Sequence, residues 1–168
     1  MNAWDDESLR ALFPEPGAIP DAVRVAPSAD ASWLVDGELR RFGGATRPVL
    51  SRIATRSGEA LEPVLLGHEA LLGEAEAKLA IEAAERAYAG GEGAWPSLHV
   101  EVRMQAALDF AAAVEAKSDA VAKLLMWEIG KAERSARDEV SRSVEYIRAT
   151  VKELAELRAE DLAVQRGV

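Results

Sequence analysis

Residues 118–157 read SDAVAKLLMWEIGKAERSARDEVSRSVEYIRATVKELAEL, and the spacing inside this stretch decides the fold. Apolar residues recur at helical intervals, first at Val121, Leu124, Leu125 and Ile129, then at Val140, Val144, Ile147, Val151 and Leu154. Two helices broken near Gly130 follow from that pattern. The second is expected from about Ala132 to Leu157 or beyond.

Upstream of this stretch the helical pattern continues. Glu74 to Ala89 reads as a helix stopped by Gly90-Gly91, the residues that most easily take the left-handed cap. Its stripe of Ala80, Ala83, Ala84 and Ala87 predicts tight packing on a neighbouring element. Trp95-Pro96-Ser97 opens the next helix, with Ser97 as its expected N-cap and Met104, Leu108, Ala111 and Val114 on one face. Ser118-Asp119 then restarts the chain.

The first 70 residues differ in kind. Asp5 to Phe13 carries Leu9, Leu12 and Phe13 on one side of a short helix. Pro14, Pro16 and Pro20 prevent any long helix before Asp21, since each lacks a backbone donor and restricts the residue ahead of it. An extended leader, residues 1–31, is the expectation. From Ser32, two short runs flank Asp36-Gly37, a strong hairpin signal because both central positions of a type I′ turn need a positive φ. Two further strands are expected, Arg47 to Ile53 and Pro63 to Leu66, with a turn at Arg56-Ser57-Gly58. The fold class is therefore mainly α with a small N-terminal β region, a hairpin and short strands followed by four helices.

Composition limits the function. At 168 residues the chain is about one domain's worth. A formal net charge of -9 and the lack of any Lys/Arg run argue against nucleic acid or anionic membrane as partner. No stretch approaches the roughly 18 apolar residues of a membrane span, and the first ten residues are acidic where a secretory signal is basic. A cytoplasmic location is the default expectation. With no cysteine, this chain holds no disulfide, no cysteine-based zinc site and no thiol nucleophile.

No catalytic constellation assembles from the remaining residues. His68 and His99 lack a second histidine at ligand spacing and read as surface or boundary residues. Gly90-Gly91-Glu92-Gly93 follows a helix and precedes Trp95-Pro96, whereas a phosphate loop follows a strand and opens a helix. Asp5-Asp6 and Asp138-Glu139 are expected to be solvated or paired with Arg137 and Arg134.

Taken together the landmarks have a familiar order. Leu34-Val35-Asp36-Gly37-Glu38, Arg47-Pro48-Val49, Ala83-Ala84, Ala87-Tyr88, Trp95-Pro96, Arg103, Glu128-Ile129-Gly130-Lys131 and Glu139-Val140 resemble the N-terminal part of the aldehyde dehydrogenase superfamily, from about Trp33 to the end. The nearest look is to the non-phosphorylating, NADP-dependent glyceraldehyde-3-phosphate dehydrogenases. In that group a Glu-Val-x-Arg element contributes an arginine to the substrate's phosphate. Glu139-Val140-Ser141-Arg142 matches it, which makes Arg142 the implied substrate ligand. At 100° per residue Arg142 lies off the Val140–Val144–Ile147 seam, a position that suits a phosphate ligand and an ordinary surface arginine equally.

The resemblance implies a partial α/β aldehyde dehydrogenase cofactor domain over residues 32–168. It also implies NADP or NAD in the complete enzyme, with no cofactor held by this chain alone. Members of the family form a thiohemiacetal on a cysteine thiolate, pass hydride to the nicotinamide and hydrolyse the thioester with a glutamate's help. This sequence has no cysteine, no glycine-rich strand-turn-helix and no alternating βαβ pattern. It reaches Val168 about where such a protein would enter the strands leading to its cofactor site. An N-terminal segment inactive alone is expected, with an open apolar surface for the rest of the dehydrogenase or for self-association. The competing reading is a standalone acidic helical interaction module that uses the Val140–Leu154 seam as a coiled-coil-like interface.

Overall fold

A computed structural model describes residues 6–28 and 30–165, with side chains up to residue 159. Asp5 of the first acidic pair and the final residues 166–168 lie outside the described part. The chain divides into two compact units. One takes the chain up to Glu85 together with Lys123–Glu133, and the other takes Arg86–Ala122 together with Arg134 onward.

In the first unit the leader begins with α1 (Asp6–Ala11), followed by two 3-10 turns, Pro16–Ala18 and Asp21–Val23, separated by extended backbone. Leu9 and Leu12 are exposed on and just after α1, and only Phe13 is half-buried. The hairpin expected around Asp36-Gly37 is present. Strands β1 (Ser32–Val35) and β2 (Glu38–Arg41) pair antiparallel with Val35 opposite Glu38, and the two turn residues have φ of 55° and 75°.

The next two strands are longer than the sequence pattern suggests. β3 (Thr46–Ser57) and β4 (Ala60–Ala70) form a second antiparallel pair, and Arg56 and Ser57 belong to the strand while the turn itself is Gly58-Glu59. Pro48 and Pro63 do not stop these strands, because in a two-stranded sheet every strand is an edge and a missing donor is tolerated there. Between Leu50 and Ala54 the register slips. Ser51, buried there, repairs the gap: its hydroxyl accepts from the Val64 amide at 2.8 Å and donates to the Ile53 carbonyl. Buried Thr55 donates to the Glu62 carbonyl, and Arg47 pairs with Glu69 directly across the ladder.

The helical expectation holds in outline, with α2 (Glu74–Tyr88), α4 (Val100–Ala116), α5 (Ser118–Ile129) and α6 (Glu133–Gln165) as the long elements. Glu76 reaches back to the Gly73 amide at 2.8 Å and closes the first turn of α2. One extra turn, α3 (Ala94–Ser97), precedes α4. It corrects the capping expectation: the Ser97 hydroxyl donates to the Gly93 carbonyl at 2.7 Å, and α4 starts after His99 without a side-chain cap. Gly130 at φ 70° separates α5 from α6.

The alanine stripe of α2 is also corrected. Ala83 is buried, but Ala80, Ala84 and Ala87 face solvent, so the stripe does not seat a neighbour along its length. On α5 the buried positions are Ala122 and Trp127, whereas Leu124 and Ile129 are exposed. On α6 burial follows the expected seam at Val140 and Val144, begins a turn earlier at Ala136, and fades to 40% exposure at Leu154. Among the described residues no large side chain is fully buried, while Ile81, Phe110, Tyr146 and Leu157 are all more than half exposed. An apolar surface of that extent has no counterpart inside either unit.

Candidate functional site

Arg142 sits near the middle of the first half of α6, on a turn whose inward residues are Val140 and Val144. Two residues from each of them, its side chain emerges to solvent as the 100° spacing requires. Nε donates to the Asp138 carbonyl one turn back at 3.3 Å, which steadies the stem of the guanidinium. The neighbouring Glu139 is half-buried.

Three other arginines of α6 behave differently. Arg137 pairs with Asp119 at the start of α5. Arg148 pairs with Glu115, and Arg158 with Glu101, both on α4. The Arg148 guanidinium donates to both Glu115 oxygens, at 3.2 and 2.6 Å, a fork geometry that matches the carboxylate plane. These hydrogen bonds, together with the arginine's charge, hold the Glu115 carboxyl below the usual carboxylate range and push the Arg148 guanidinium higher. Arg142 has no carboxylate at ion-pair distance among the described residues. Its terminal nitrogens therefore keep their donors for another acceptor.

The remaining landmarks mark structure. Glu128 is exposed at the end of α5, and Gly130 supplies the left-handed residue that ends that helix. Arg103 on α4 is half-buried, and its Nε is buried without a hydrogen-bond partner. Sequence reading used Arg103 only as a landmark; nothing in its local pattern signals the unfilled donor. His68 and His99 are exposed, and no group of three or more potential metal-ligating side chains occurs among the described residues.

At Gly90-Gly91-Glu92-Gly93 the chain stops a helix, as expected. Gly90 and Gly91 have φ of 65° and 96°, and the Gly93 amide donates to the Tyr88 carbonyl at 3.0 Å. A side chain at Gly93 would meet the Ala87 carbonyl at 1.8 Å, so this loop folds back on its own helix. Both sheets are two-stranded and antiparallel. Neither is followed by the parallel strand-turn-helix that cradles a dinucleotide, and the described residues do not fit an NAD(P) site.

A cleft of about 300 Å³ lies in the first unit, between the leader turns and the β3–β4 hairpin. Ile19, Arg24, Thr55, Pro63, Val64 and Trp127 line it. Trp127 is only 6% exposed, and its indole nitrogen donates to the Val23 carbonyl at 2.7 Å. No helix among the described residues is long and apolar enough to cross a membrane.

A family model described as the Aldehyde dehydrogenase family matches residues 58–168, which takes in the second half of the long hairpin and every long helix. No curated protein and no solved structure matches the chain. That match covers well over half of the 168 residues and includes the Glu128-Ile129-Gly130-Lys131 and Glu139-Val140-Ser141-Arg142 elements, and on it the chain belongs to the aldehyde dehydrogenase family.

Proposed function

We propose that this chain is the N-terminal segment of an NAD(P)-dependent aldehyde dehydrogenase that oxidises a phosphorylated aldehyde of the glyceraldehyde-3-phosphate type, without phosphorylating it, and that it is inactive alone. The observation that carries the reading is the family match over residues 58–168 in a chain with no cysteine. Aldehyde oxidation in this family needs a thiolate, so the nucleophile comes from residues outside these 168. The dinucleotide is likewise bound elsewhere in the complete enzyme. On this reading residues 1–31 form a leader and residues 32–168 the first part of the cofactor domain.

Arg142 is assigned to the substrate phosphate. Its support is the Glu-Val-x-Arg element, its exposed place on α6 and a guanidinium held at the stem with its terminal donors uncommitted. The exposed apolar side chains, Ile81, Phe110, Tyr146 and Leu157 among them, are the surface that the remainder of the enzyme covers; self-association through the same faces is the alternative when the remainder is absent. An interaction module working through the α6 seam is less well supported, because Val140 and Val144 are buried.

The test joins the chain to a cysteine-bearing remainder of the enzyme and compares Arg142→Ala with the parent on two substrates. A raised Michaelis constant for the phosphorylated aldehyde, with little change for an unphosphorylated one, supports the assignment. Equal effects on both remove Arg142 from the site.

A further inference from the structure

Trp127 and Val23 are 104 residues apart in sequence, yet the Trp127 indole N–H donates to the Val23 carbonyl at 2.7 Å. We propose that residues 14–28 form a strap that opens and closes as one unit over the β3–β4 hairpin, with the Trp127 indole as its latch. This goes beyond the dehydrogenase reading and does not depend on it.

The strap is held at few places. At its start the Arg56 amide donates to the Pro14 carbonyl at 2.9 Å, and the Arg56 side chain pairs with Glu15. At its end the Ser28 amide donates to the Leu66 carbonyl at 3.0 Å. Between these anchors the backbone bonds are local: Ala18 to Glu15, Val23 to Pro20 and Arg24 to Asp21. Pro14, Pro16, Pro20 and Pro27 have no amide hydrogen to give, so the segment cannot add itself to the hairpin as a third strand.

Packing beneath it is sparse. Only Ile19, Val23 and Val25 of the strap are half-buried, and the 300 Å³ cleft lies under its middle. A segment with few buried contacts opens at a free energy far below that of global unfolding. The cost of lifting it is concentrated at one residue. Trp127 would lose both its cover and its acceptor: its ring is laid open to water, and the 2.7 Å hydrogen bond to Val23 is exchanged for one to solvent.

The hairpin is shaped to take the closed strap. Gly67 lies where Ser28 passes, and a Cβ added there would sit 3.0 Å from the Ser28 Cβ and 3.4 Å from its backbone nitrogen. Opening uncovers the Trp127 ring beside the half-buried Val64, the floor of the cleft. The closed strap therefore shields that floor, and any molecule binding the Trp127 face has to displace residues 14–28.

Hydrogen exchange on the intact 168-residue chain tests this. The Ser28 and Arg56 amides and the Trp127 indole N–H should exchange at one common rate, faster than the ladder amides of β3 and β4. Trp127→Phe keeps an aromatic ring and removes the donor, and should speed Ser28 and Arg56 exchange by about three- to tenfold while leaving the ladder unchanged. Ser28→Pro removes an anchor without touching Trp127, and should speed exchange of the indole N–H. The proposal is overturned if Trp127→Phe leaves strap exchange as it was or accelerates strap and ladder alike, or if Ser28→Pro leaves the indole N–H unmoved.

Discussion

Arg148 on α6 grips Glu115 on α4, 33 residues away in sequence, with two hydrogen bonds at 3.2 and 2.6 Å that tie the two helices. Both side chains are solvent-exposed, so the pair contributes modestly and is weakened by salt.

Its pH dependence has a definite sign. The Arg148 hydrogen bonds, and then its charge, lower the folded-state pKa of Glu115. A carboxyl depressed in the folded state adds stability above its unfolded pKa, about 4.3, and loses it as pH falls through the folded value. Glu115→Gln should therefore lower the melting temperature slightly at pH 7, with the difference from the parent shrinking as the pH falls through the depressed folded value. Thermal melts across that range check it.

Burial separates two alanines that look alike in sequence. Ala136 on α6 is fully buried, whereas Ala84 on α2 faces solvent. Ala136→Leu should cost about 1–3 kcal/mol through overpacking. Ala84→Leu should stay within about 0.5 kcal/mol of the parent. Urea midpoints at constant slope distinguish the two.

At the first hairpin, Gly37 holds a φ of 75°. Gly37→Ala should cost about 1–2 kcal/mol, the penalty of a left-handed residue with a Cβ. Gly43→Ala makes no contact and needs no positive φ, and should be near neutral. Loss of the cross-strand contact between Leu34 and Leu39, followed by NMR, reports the difference directly.

On the proposed assignment of Arg142 to a substrate phosphate, Arg142→Ala in the assembled enzyme would remove a charge-assisted contact of about 1.5–3 kcal/mol. The Michaelis constant for the phosphorylated aldehyde should rise about 10- to 100-fold, with an unphosphorylated aldehyde affected less than about twofold. Steady-state kinetics on both substrates measure it.

Much of the fold is legible in the sequence where a residue type has one physical use. Asp36-Gly37, Gly90 and Gly130 each mark a place where the chain needs a positive φ, and all three positions were readable as a turn, a stop and a break. The outward direction of Arg142 followed from helical periodicity alone. Other features depend on partners that a one-dimensional pattern does not name. The β3–β4 pair runs past both ends of the expected strands, and Pro48 and Pro63 are tolerated within it because a two-stranded sheet has only edges. The exposure of Ala80, Ala84 and Ala87 shows the same gap, since small residues permit close approach without requiring it. Trp127, the large buried aromatic of α5, sat in the sequence beside exposed Leu124 and Ile129, and only its contact with the leader separates it from them.

The central claim is that this family member draws its nucleophile from outside its 168 residues. NAD(P)-dependent aldehyde oxidation, followed at the nicotinamide absorbance, tests it most directly with the chain alone and then joined to a cysteine-bearing remainder. The account predicts no turnover by the chain alone and thiol-sensitive turnover by the joined enzyme. Turnover by the 168-residue chain alone would contradict it.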